Sequence, residues 1–128
     1  MKEIIVAVVQ FKRKILLLKR RKNKRYDPRR WEFISGFVAQ NINLEDFARE
    51  QVLYETGLTT TFVKKGKDFK VNDEYGEWLI HPLLFSSESE DIKLRNDHET
   101  FEWIKINDLS KFNTVKELEK NLIALNLL

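Results

Sequence analysis

Two uninterrupted apolar runs stand close together near the N-terminus. They are Ile4-Ile5-Val6-Ala7-Val8-Val9 and Ile15-Leu16-Leu17-Leu18, separated by Gln10-Phe11-Lys12-Arg13-Lys14. Side chains alternate faces along a strand, so a strand that is apolar at every position must have both faces covered. The β-branched residues of the first run favour a strand, and the short polar gap favours a hairpin. The expectation is a sheet with a packed layer on each side, not a sheet with one wet face.

The next segment, Arg20 to Arg30, is polar, contains Pro28 and has no period, so it reads as a long basic loop arriving at Trp31-Glu32-Phe33-Ile34. Asn43 caps a predicted helix whose apolar positions Leu44, Phe47, Ala48 and Val52 follow helical spacing, and Gly57 stops it. Thr59 to Lys65 and Lys67 to Asn72 read as strands. Asp73-Glu74-Tyr75-Gly76 reads as a turn, and Glu77 to Ser86 as a longer strand with Pro82 marking an edge or bulge. Thr100 to Ile106 reads as a further strand, and Val115, Leu118, Leu122 and Leu125 share a face of a terminal helix. This order predicts an α/β (α+β) fold, a mixed sheet sandwiched between helices, built as one domain over residues 1–128.

Composition narrows the chemistry. The sequence holds no Cys, which excludes thiol nucleophiles, disulfides and Cys-ligated zinc, so any metal must sit on oxygen or imidazole. The net charge of +3 conceals segregation: 11 of the 23 Lys and Arg lie between Lys12 and Arg30, where Asp27 is the only acid. Six acids lie between Glu88 and Glu102. Such segregation suits an anion such as a phosphate, or simply a solvated basic hairpin. Ile4 to Val9 is too short an apolar run for export or for spanning a bilayer, so a cytoplasmic protein without membrane attachment is expected.

The segments Trp31 to Val38, Leu44 to Ala48 and Glu50 to Leu58 together resemble the Nudix hydrolase (MutT-like) family. Its box runs G-x5-E-x7-R-E-U-x-E-E-x-G-U, with U a bulky aliphatic residue. Laid on without gaps, Gly36, Val52, Glu55, Gly57 and Leu58 take their positions in it. Four charged positions depart: Ile42, Glu50, Gln51 and Tyr54 stand where the family has Glu, Arg, Glu and Glu. The resemblance extends to Leu16 to Arg21, and to Asp97-His98-Glu99-Thr100-Phe101-Glu102-Trp103-Ile104, which is similar to the family's acid-rich loop entering a strand.

The resemblance implies hydrolysis of a nucleoside diphosphate linked to another moiety, by water activated on Mg²⁺ or Mn²⁺. It implies Glu55, Asp97 and Glu99 as catalytic carboxylates and Glu55 with Glu102 as metal ligands. Arg20, Arg21 and Arg30 would contact the phosphates, and Tyr54, Tyr75 and Trp78 would form the substrate side, with Tyr26 a further stacking candidate. Packing is the competing reading for the aromatic residues, Trp31 and Trp103 above all. His81, within an apolar strand, reads as a hydrogen-bonded structural residue, whereas Asp97-His98 resembles an acid-His pair of some subgroups. A second function competes with hydrolysis: a catalytically inactive Nudix-fold module, needing no metal, that binds a nucleotide, or binds nucleic acid through residues 12–30. Homodimers are frequent in that family.

Overall fold

The computed structural model describes all 128 residues. Strands β1 (Lys2–Phe11) and β2 (Lys14–Arg20) form the expected hairpin, but they pair only beside the turn, at Gln10 with Ile15 and Phe11 with Lys14. Beyond that they splay. On one edge β1 takes β4 (Ile34–Phe37), antiparallel; on the other it takes β7 (Gly76–Ser87), parallel. β2 pairs with β3 (Trp31–Glu32) and with β8 (His98–Ile104). β5 (Thr60–Lys65) and β6 (Phe69–Asp73) pair in turn with the two halves of β7, completing one mixed eight-stranded sheet.

The period-2 geometry of the apolar runs divides the core. Ile5, Ala7, Val9, Leu16 and Leu18 join Ala48, Val52, Leu83 and Phe85 under helix α1 (Leu44–Thr56). Val6, Val8, Ile15 and Leu17 join Leu118, Leu122 and Leu125 on the opposite face, beneath helix α2 (Glu119–Ala124). Hence both runs are fully apolar: each residue of Ile4 to Val9 and of Ile15 to Leu18 packs in or against one of two cores. The sandwich of a mixed sheet between helices is as the sequence predicts.

Helix α1 begins and ends where its signals lie. The Asn43 Oδ1 accepts from the Asp46 N–H at 2.9 Å, and Gly57 adopts φ 77°, a left-handed conformation that favours glycine. Three other expectations are corrected. The terminal helix is short, because Glu117 has φ 60° and Val115 donates its N–H to the Trp31 carbonyl, so the Val115 segment is pinned beside β3 instead of being helical. Pro82 lies in the interior of the sheet, between the last β5 partner Leu83 and the first β6 partner Ile80, a gap where its missing N–H leaves no ladder bond unmade. Finally, β8 starts at His98, so that residue sits on a strand and not in a loop. No helix is long and apolar enough to cross a membrane.

Candidate functional site

Two adjoining recesses open between β4, the loop of residues 21–30 and the ends of the two helices. The first, of about 240 Å³, is walled by Tyr26, Phe37, Phe69, Tyr75 and Trp78, with the C-terminal segment through Asn121 as its far side. Its aromatic wall is continuous: Tyr26 meets Tyr75 edge-on at 4.6 Å between centroids, and Phe37 lies 5.9 Å from Trp78. The second, of about 560 Å³, is polar and includes Arg20, Lys24, Arg25, Gln51, Glu55, Asp97 and His98. Arg20, Tyr26, Glu32, Ser35, Gly36 and Phe37 border both.

The approach of α1 to the cleft depends on Gly36. A Cβ there would lie 2.9 Å from the Phe47 ring and 3.2 Å from the Gln51 side chain, so any larger residue would have to push these side chains aside where β4 passes the helix. Phe47, Gln51 and Glu55, one turn apart, then form the helix stripe that faces the cleft.

At the back of the cleft lies a buried charge chain. Arg20 Nη1 donates to both Glu32 carboxylate oxygens at 3.0 and 2.9 Å, while its Nε donates to the Tyr26 carbonyl at 2.8 Å. His98 Nε2 lies 2.8 Å from Glu32 Oε2, and His98 Nδ1 lies 3.4 Å from Glu55 Oε2. The second contact is an ion pair without a formed hydrogen bond, since both of its atoms lack a hydrogen-bond partner. Glu32, Glu55 and His98 are 9%, 8% and 7% exposed. Burial alone would push the imidazole pKa down. The hydrogen bond to Glu32 and the field of both carboxylates outweigh it and push the pKa up to about 9.

A β-bulge sets this arrangement. The β2–β8 register shifts between Lys19 and Arg20, so Arg20 opposes His98 while Lys19 opposes Thr100. A regular ladder would have placed Glu99 opposite Arg20. The one-residue shift turns His98 inward and leaves Glu99 exposed, 3.8 Å from Lys19 Nζ. Glu99 is thus not brought to Glu55. Glu102 is not either: it is exposed, four residues along β8 and roughly 13 Å away at strand spacing, in a shallow recess with Lys14 and Lys105.

The other candidates divide. Asp97 rims the cleft, but the Lys24 ammonium holds it at 2.8 Å and keeps its carboxyl below the usual range. Tyr75 and Trp78 line the aromatic pocket, as does Tyr26. Arg21 is turned to the Asn96 carbonyl, and Arg30 lies 3.9 Å from Asp27. Tyr54 is 51% exposed and stacks against the Arg95 guanidinium at 4.3 Å, off the stripe that carries Gln51 and Glu55. The basic segment 12–30 is not one surface: Lys12 to Lys14 occupy the hairpin turn, separated from Arg20 by the length of β2, about 20 Å. Sequence reasoning assigned Glu32 no role; its only signal was a lone acid among the apolar residues after Trp31.

Mg²⁺ and Mn²⁺ bind through several oxygen ligands, near-octahedral for Mg²⁺. No group of three or more His, Asp or Glu side chains here is arranged to hold an ion. Both Glu32 oxygens are engaged by Arg20, and one also by His98, while the facing oxygen of Glu55 lies 3.4 Å from the His98 ring. The residues present do not fit the divalent metal that the resemblance implies.

Comparison with known proteins bears on the fold. No curated protein matches by sequence. Among solved structures, the MutT protein of Methanosarcina mazei Go1 superposes with TM-score 0.79 at 18% identity, covering 98% of this chain and 91% of that one. A Caenorhabditis elegans Ap4A hydrolase in a binary complex gives 0.78 at 17%, with 98% and 96% covered. A bifunctional NMN adenylyltransferase/ADP-ribose pyrophosphatase of Francisella tularensis, complexed with AMP and a Mn ion, gives 0.78 at 18%, with 98% and 41% covered. At these identities the likeness is one of fold. The family model for the NUDIX domain matches residues 1–125, and with the box glycines, the sandwich and the cleft beneath α1 in place, this chain belongs to the NUDIX domain family.

Proposed function

We propose that this chain binds a nucleoside diphosphate derivative without the metal-assisted hydrolysis of its relatives. The observation that carries this reading is the junction of the two recesses at Arg20: an aromatic pocket opens directly into a basic cleft. A base has the π-face that Tyr26, Tyr75 and Trp78 favour, while a diphosphate has the charge that Lys24 and Arg25 favour. Arg20 commits Nε and Nη1 to the protein and keeps Nη2 for an incoming oxygen. Neighbours named for Ap4A and ADP-ribose make adenine nucleotides with an anhydride linkage the first ligands to try.

The second reading, hydrolysis, draws on Glu55 alone, which keeps its box position on the cleft wall. One experiment separates the two. Thermal shifts with a nucleotide panel are measured in Mg²⁺, in Mn²⁺ and in EDTA, and the same mixtures are assayed for product. Stabilisation indifferent to EDTA, without product, supports binding. Metal-dependent product that disappears in a Glu55→Gln protein overturns it.

A further inference from the structure

The aromatic pocket carries one buried polar atom without a hydrogen-bond partner. Asn121, on α2, stands on its far side and is 6% exposed. Its Nδ2 donates to the Leu118 carbonyl at 3.1 Å, and that acceptor fixes which end of the amide lies there, while its Oδ1 is buried and accepts from no protein group. Four other side chains hold a buried atom without a partner, Glu55, Thr60, His81 and His98, and none of them lines this pocket. An orphaned amide oxygen is costly in a folded chain and calls for a donor from elsewhere. Resting on the reading that this pocket takes the base of a nucleoside diphosphate, we propose that Asn121 selects a base bearing an exocyclic amino group, its Oδ1 accepting from that N–H.

Other polar groups of the lining are spent within the protein. Asp73 Oδ1 accepts from Trp78 Nε1 at 3.0 Å and from the Tyr75 N–H at 2.8 Å, and Lys116 Nζ donates to the Asn72 carbonyl at 2.9 Å. Stacking on Tyr26, Tyr75 or Trp78 cannot tell bases apart, since every base has a π-face. Discrimination therefore falls to an edge contact, and Oδ1 has lone pairs alone to offer. An amino group satisfies it, whereas a ring without that group leaves the oxygen orphaned and a carbonyl there sets two acceptors against each other. In adenine the amino group lies across the ring system from the nitrogen that bears the sugar. With the phosphates held at Arg20, where the two recesses join, it is the end of the base that enters the pocket first. A site built to hydrogen-bond its ligand rejects an analogue lacking the donor, because its own buried group is then left unpaired.

The test compares ADP with purine riboside 5′-diphosphate, which is ADP without the amino group, by calorimetric titration in EDTA on the wild type and on Asn121→Leu. Leucine is close to Asn in size, and the Leu118 carbonyl keeps its bond from the Asn121 backbone N–H at 3.1 Å, so the variant leaves no protein group unpaired. The wild type should bind ADP about tenfold more tightly than the analogue. Asn121→Leu should bind both alike, with the affinity that the wild type shows for the analogue. Equal affinities in the wild type overturn the proposal, and so does a preference for ADP that survives in Asn121→Leu. Should the variant not fold, the side-chain amide resonances of Asn121 in ¹⁵N-labelled wild type decide: a shift with ADP and not with the analogue supports the proposal, and any other pattern overturns it. Equal binding of the two probes overturns this selection alone and leaves the binding reading standing; binding of neither overturns both.

Discussion

His98 Nε2 lies 2.8 Å from Glu32 Oε2 across a sequence separation of 66 residues, and Arg20 grips the same carboxylate from the other side. The protein thereby holds a carboxylate between two cations at the back of its cleft. That relationship governs stability as well as chemistry.

Glu32→Gln should destabilise the fold by about 3 kcal/mol, because it removes the counter-charge shared by the half-buried Arg20 guanidinium and the buried His98 ring. Urea unfolding at pH 7 checks this. A loss below about 1 kcal/mol would show that the chain contributes no more than a surface pair.

The His98 pair makes stability fall toward alkaline pH. The folded-state pKa, about 9, exceeds the ordinary 6.5, so the contribution is fully present below 6.5 and is lost as pH rises through about 9. Its size is roughly 3 kcal/mol at full strength. Unfolding free energies between pH 6 and 9.5 should therefore decline in the wild type. The same series on His98→Ala should be flatter; equal slopes in the two proteins would refute the assignment.

Trp78→Ala should weaken nucleotide binding about tenfold while the fold, followed by circular dichroism, persists, since stacking on one aromatic ring contributes about 1–3 kcal/mol per base. The loss should be equal with and without EDTA. Calorimetric titration gives both numbers, and unchanged affinity would move the base out of the Tyr26–Tyr75–Trp78 pocket.

Gly57→Ala should cost about 1–2 kcal/mol through backbone strain alone. The residue ends α1 at φ 77°, and an added Cβ would meet nothing nearer than Lys93 Cβ at 3.7 Å. A thermal melt lowered without change in ligand affinity is the expected outcome.

Much of the fold was legible because its signals are local. The alternating exposure rule turned Ile4 to Val9 and Ile15 to Leu18 into doubly covered strands, and the Asn43 and Gly57 caps bounded α1. The same rules misjudged the C-terminal helix, where the four apolar residues do pack but Glu117 and the bond from Val115 to Trp31 break the helical path. Pro82 misled similarly, since what excuses a proline in a sheet interior is how the neighbouring strands are paired, which its own segment does not encode.

The sequence by itself determined the family frame, the loss of acids at 42, 51 and 54, and the survival of Glu55. The resemblance pointed to Asp97, Glu99 and Glu102 because a motif places acids along the chain without fixing the direction each side chain takes. Only the tertiary structure decided which of them reach the cleft. A single bulge in β8 inverts facing, turning His98 inward and Glu99 outward, and a strand already carries Glu102 too far along its axis. Glu32 became part of the site only when the splaying of β2 from β1 let β3 and β8 flank β2 on opposite edges. Charge type is written in the chain; which charges neutralise one another depends on register and burial, and those are properties of the folded sheet.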